Sequence, residues 1–239
     1  MAAGVLALIP ALLLIFFVAA ARSTATEFCT QTRTGAIASL RLAVVSLPKS
    51  LLATVLAAVL IAIPVGLLHA VSWLAAPSGF GESFAMFAWP VITLLAAIAG
   101  LTSVVVSTAW LLSLAAIGTD RCAGADALSR SINYVLSHKL RTFCYLSIVT
   151  MVSKLAWLLT HSVLLTANGL LEPRFREFIP VARRALESKA TAPQQALHWW
   201  QAAINIGPEV AEFGAFVSGI TLMYILLRQR EDAVDLREL

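Results

Sequence analysis

Ser147, Thr150, Lys154, Trp157 and His161 recur at three- and four-residue steps, which on a helix of 3.6 residues per turn sets them along one side. They lie inside an apolar run from Leu140 to Leu171, so one flank of a lipid-compatible helix carries hydroxyls, an ammonium and two hydrogen-bonding rings. Such a polar seam has three uses. It lines a path for a solute or proton, it hydrogen-bonds neighbouring helices, or its lysine snorkels toward the headgroups. A charge near the centre of a span costs about 2.5–3.5 kcal/mol on insertion scales, so Lys154 is expected to face protein or water. Glu212 lies about one turn inside the outer end of the last apolar run, at a depth closer to His161 than to Lys154. A His161–Glu212 contact is therefore expected, with Lys154 held by carbonyls, by hydroxyls such as Thr102, Ser103 or Ser107, or by water.

No recognised catalytic pattern accompanies the seam. The chain contains no HExxH, GxSxG, GxxxxGK[ST] or GxGxxG, and no paired membrane carboxylates. His69, His138, His161 and His198 are far apart and form no ligand pair, while Cys29, Cys122 and Cys144 are odd in number with no CxxC spacing. No cofactor, metal or disulfide framework is expected.

The elements that must position the seam are membrane spans. Of 239 residues 59% are hydrophobic and 13% charged, with a mean hydropathy of +0.86, whereas soluble domains carry about 25% charged residues. The net charge of +4 is scattered between apolar runs, which reads as topology signal and excludes a nucleic-acid stripe. Residues 4–21, 51–73, 89–114, 142–168 and 208–227 are predicted to be five transmembrane helices of an all-α bundle. The first is expected to be a retained span, since no basic segment precedes it, although Ala19-Ala20-Ala21 looks like a signal-peptidase site.

Two amphipathic links join these spans. In residues 35–48, Ile37, Leu40, Val44 and Leu47 form one stripe; in 124–138, Leu128, Ile132 and Val135 form another. Both are expected to lie in the headgroup region, with Arg41, Lys49, Arg130, Lys139 and Arg141 contacting anionic lipid. A shift of 89 residues lays Gly35 over Gly124, Ala36 over Ala125, Ala38 over Ala127, Arg41 over Arg130, Leu47 over Leu136 and Leu51 over Leu140. The same shift lays span one over span three and span two over span four, so the chain reads as a duplicated hairpin plus a final helix.

Small residues recur every four positions at Ala99, Ser103 and Ser107, at Gly214 and Ser218, and at Ala211, Ala215 and Gly219, faces suited to a protein partner or a second copy. Residues 172–207 form a long loop that Pro173, Pro180 and Pro193 are expected to divide into short pieces. The first link, the third loop and the tail carry Arg22, Arg33, Arg41, Lys49, Arg121, Arg130, Lys139, Arg141, Arg228, Arg230 and Arg237; the opposite side has none before Arg22, none in the loop before Trp89 and five in 172–207, a long loop that weighs less in the charge rule. That asymmetry predicts an outside amino terminus and a cytoplasmic carboxyl terminus.

At Gly124-Ala125-Asp126-Ala127-Leu128-Ser129-Arg130-Ser131, followed by Tyr134 and the long fourth span, the chain resembles a group of uncharacterised bacterial multi-pass proteins. These are similar in turn to the membrane domain fused to some glycerophosphodiester phosphodiesterases. The ending Tyr224-Ile225-Leu226-Leu227-Arg228 with an acidic tail fits the same group. The resemblance covers most of the chain and implies the architecture; the activity of the fused catalytic domain is not implied. A non-enzymatic scaffold or accessory subunit is the expected role, with a transporter component using Lys154 and His161 as the alternative.

Overall fold

In the computed structural model, the backbone is described for residues 2–32, 35–74, 81–187 and 191–231, and side chains for 8–32, 35–71, 89–166 and 206–231. Regular structure among these residues is entirely helical: α1 (Ala2–Thr30), α2 (Ala36–Leu74), α3 (Gly81–Asp120), α4 (Gly124–Ser137), α5 (Lys139–Glu187) and α6 (Thr191–Glu231). All except α4 contain a stretch long and apolar enough to cross a membrane, five in total. The chain is an all-helical protein of multi-pass membrane character, and it divides into two compact units, residues 1–144 with 220–239, and residues 145–219.

In the first unit, α1, α2 and α3 pack together and α4 packs on α2 and α3. Its core is built largely from small side chains. Ala43, Ser46, Ser50, Ala53 and Ala57 are buried along α2 at alternating steps of three and four, which lets neighbouring backbones approach closely. Across this seam the Trp110 indole N–H donates to Thr54 Oγ1 at 3.0 Å. The small-residue face expected on α3 is displaced: Ala99 is buried but Ser107 is exposed, and the buried face runs through Val106, Ala109, Leu112 and Ala116. In α1, Ala19 and Ala21 are buried in the middle of a helix, away from any end.

Residues 35–48 are not a separate interface helix. They are the first turns of α2, which at 39 residues is about 58 Å long and overshoots a bilayer core of about 30 Å. The reason lies in phase. The buried seam continues through Pro48 without a slip, and Pro48 is exposed, so its missing N–H removes one bond on the outer side of the helix.

The second link does become its own helix, with Asp126 in its first turn complementing the helix dipole. However, its apolar stripe faces protein rather than lipid, because Ala127, Leu128, Ser131, Tyr134 and Val135 are buried while Asp126 and Arg130 are exposed. Contact with α2 is so close that a Cβ on Gly124 would stand 2.1 Å from the Lys49 carbonyl oxygen. Gly35, its counterpart in the repeat, has nothing within 4 Å.

The ends of α1 and α3 share one backbone feature. α1 ends at Thr30 and α3 at Asp120, and each is followed at once by a non-glycine residue in the left-handed region, Gln31 at φ 56° and Arg121 at φ 57°. An L-residue costs about 1–2 kcal/mol there, and a left-handed residue just past a helix is a common way to end one.

The second unit holds the inner lengths of α5 and α6. Residues 172–187 continue α5 in unbroken helix past Pro173 and Pro180, and α6 already begins at Thr191, so the long loop expected over 172–207 is mostly helix. Strong helix formers flank Pro173 (Leu170, Leu171, Glu172, Arg174) and follow Pro180 (Ala182, Arg183, Arg184), which favours helix on either side of each missing hydrogen bond. Trp199 and Trp200, beside Gln194, Gln195 and Gln201, suggest by sequence a cap resting on the bilayer, but their side chains lie outside the described residues.

Candidate functional site

Within the second unit α5 and α6 run antiparallel, and four contacts fix their register. A Cβ on Gly219 would stand 2.7 Å from Val149 Cγ1, Lys154 meets Glu212, Trp157 meets Glu209, and a Cβ on Gly207 would stand 3.1 Å from Leu164 Cδ1. Progress along α5 is matched by progress back along α6, as expected of neighbouring antiparallel helices.

This register pairs the charges differently from the depth argument. Glu212 Oε1 lies 2.5 Å from Lys154 Nζ, while His161 stacks on the Trp157 ring with centroids 4.7 Å apart and planes 10° from parallel. The Trp157 indole N–H donates to Glu209 Oε1 at 3.1 Å. The His161–Glu212 contact is thus replaced by two links, Lys154–Glu212 and Trp157–Glu209. Both helices extend past the apolar edges from which depth was counted, so the register slides by about two turns.

Glu209 was not singled out from sequence. The signal was present, because Glu209 and Glu212 are three residues apart and answer Trp157 and Lys154 at the same spacing. Of the other seam residues, the Thr150 hydroxyl donates back to the Leu146 carbonyl at 2.8 Å, and Ser147 and Thr150 are both exposed. The seam is therefore a flank of the helix pair with its polar groups turned outward. Lys154 is 67% exposed and Glu212 22%, so the ion pair leans on one side only.

A second polar cluster, absent from the sequence reading, gathers in the first unit around the carboxyl end of α3. The last carbonyls of a helix lack intrahelical partners and carry partial negative charge. Here Arg22 Nη1 of α1 donates to the Thr119 carbonyl at 3.1 Å, and Lys49 Nζ of α2 to the Arg121 carbonyl at 2.7 Å. From α6, Arg228 pairs with the Asp120 carboxylate, which also accepts the Tyr224 hydroxyl at 2.6 Å. Tyr224 in turn packs on Tyr134 of α4, with centroids 6.1 Å apart. Three cations from three helices thus clasp one helix end, and His138 Nε2 lies 2.7 Å from Glu231 Oε2 in the same unit.

The residues expected to meet headgroups lie at the surface. Arg41, Arg130, Lys139 and Arg141 are exposed; Lys49 is half-buried because its ammonium reaches inward to Arg121. Just beyond α3, burial first and then the adjacent Asp120 carboxylate push the Cys122 thiol above its ordinary value.

Compared with protein-family models, with curated proteins and with solved structures, the chain matches none.

Proposed function

We propose that the protein is a non-enzymatic membrane scaffold or accessory subunit that associates inside the bilayer with another spanning chain, through the α5–α6 flank carrying Lys154 and Glu212. The observation that supports this is the one-sided ion pair. Two-thirds of the Lys154 side chain is uncovered at mid-span, where lipid offers no hydrogen-bond acceptor. An ammonium has three donors and Glu212 occupies one of them, so a partner supplying a hydroxyl, carbonyl or carboxylate at that level completes the site. A photo-crosslinker at Leu158, exposed one turn from Lys154, tests it. Protein-sized adducts are expected, and labelling of lipid alone would contradict the reading.

The alternative is a component of a solute pathway, favoured by the continuity of Lys154–Glu212 with Trp157–Glu209 and the stacked His161. In that case vesicles containing the purified chain conduct a solute and Lys154→Ala abolishes the flux.

The proposed setting is a bacterial inner membrane, with the amino terminus outside and the carboxyl terminus cytoplasmic, and membership of the uncharacterised multi-pass group that the Gly124–Ser131 segment resembles. Support for the orientation comes from the gathering of Arg22, Lys49, Arg121 and Arg228 around one helix end, since clustered basic residues favour the cytoplasmic side.

A further inference from the structure

Along the first turns of α2, Arg41, Val45 and Lys49 follow at steps of four and share a face. Arg121, held just past the end of α3 in the left-handed region, closes the other side. Together with Ile37 and Leu42 these residues line a groove of about 710 Å³, within the range of about 300–1,000 Å³ usual for small-molecule sites. Its lining is split by chemistry. Among the described residues three cations line it and no carboxylate does, while Ile37 is 84% and Val45 71% exposed beside them.

The groove sits where α2 overshoots the bilayer core and where α3 ends, the level of the headgroups. Lys49 gives one of its three donors to the Arg121 carbonyl and retains two, and this bond fixes the strained residue that brings a second cation to the groove.

We infer that this groove is a binding site for an anionic phospholipid, its phosphate held by Arg41, Lys49 and Arg121 and its acyl chain laid along Ile37 and Val45. Charge selects the headgroup, and the exposed apolar pair selects a lipid over a free phosphate ester. This site lies in the first unit and is independent of whether the α5–α6 flank binds a partner.

The test is native mass spectrometry of the full chain in detergent with equal phosphatidylglycerol and phosphatidylcholine. Wild type is expected to retain phosphatidylglycerol about tenfold over phosphatidylcholine, because both offer a phosphate but the choline ammonium brings a like charge to the three groove cations. Arg41→Gln and Arg121→Gln should each lower the preference and together bring the two lipids near parity, while Arg230→Gln, the same charge loss as either single variant but outside the groove, should leave it intact. Lys49 is spared because its ammonium also supports the fold. Equal retention by wild type, an equal loss in Arg230→Gln, or displacement of the lipid by millimolar inorganic phosphate would each overturn the assignment.

Discussion

Lys154 Nζ stands 2.5 Å from Glu212 Oε1, with the lysine mostly uncovered and the glutamate mostly covered. The pair therefore has an inner, protein-facing half and an outer half that points away from its own chain. Removing one partner leaves a lone charge in hydrocarbon, whereas removing both leaves none. Glu212→Leu should thus lower stability in detergent–lipid mixtures, and Lys154→Leu with Glu212→Leu should recover most of the loss. The coupling expected from a double-mutant cycle is on the order of 1 kcal/mol, read by chemical unfolding.

The two link glycines should behave oppositely. Gly124→Ala forces α4 away from the Lys49 carbonyl and should cost about 1–3 kcal/mol in the same assay, as overpacking does. Gly35→Ala meets open space and should be neutral or slightly stabilising, by up to about 1 kcal/mol, through the reduced entropy of the unfolded chain.

Asp120 should be the most sensitive charged residue of the first unit. Its side chain is 7% exposed, and it serves both Arg228 and Tyr224. Asp120→Asn strips the buried guanidinium of its counter-charge and should cost about 3–5 kcal/mol, whereas Tyr224→Phe deletes one hydrogen bond and should cost about 1 kcal/mol.

Cys122 offers a pH readout. Only the thiolate reacts, and burial together with Asp120 raises the pKa, so alkylation near neutral pH should be slower than for a model thiol. The rate should still be climbing with pH where the model thiol has levelled off. An impermeant reagent should reach Cys122 in inverted vesicles and not in intact cells, and the opposite result would reverse the proposed orientation.

The five crossings were legible because apolar length leaves a one-dimensional signal, and the link at 124–138 because its periodicity changes abruptly. The core seam on α2 was not. Ala43, Ser46, Ser50 and Ala53 look like ordinary members of a run in which nearly everything is small or apolar, and only a neighbouring helix selects that face. Lys154 and Glu212 were both visible as costly residues, yet their pairing depends on helix register. Register is set by Val149 against Gly219 and Leu164 against Gly207, contacts of size and shape that hydropathy does not encode. The Asp120 clasp escaped notice for a related reason: its members come from four helices and are up to 108 positions apart.

The central claim, that the Lys154–Glu212 flank is covered by another chain, is tested most directly by extracting the tagged full-length protein from its native membrane into nanodiscs and weighing the intact particles. A second polypeptide, a partner or another copy, is expected in fixed ratio, and it should be lost from the doubly substituted Lys154→Leu, Glu212→Leu protein. A single chain surrounded by lipid only would contradict it.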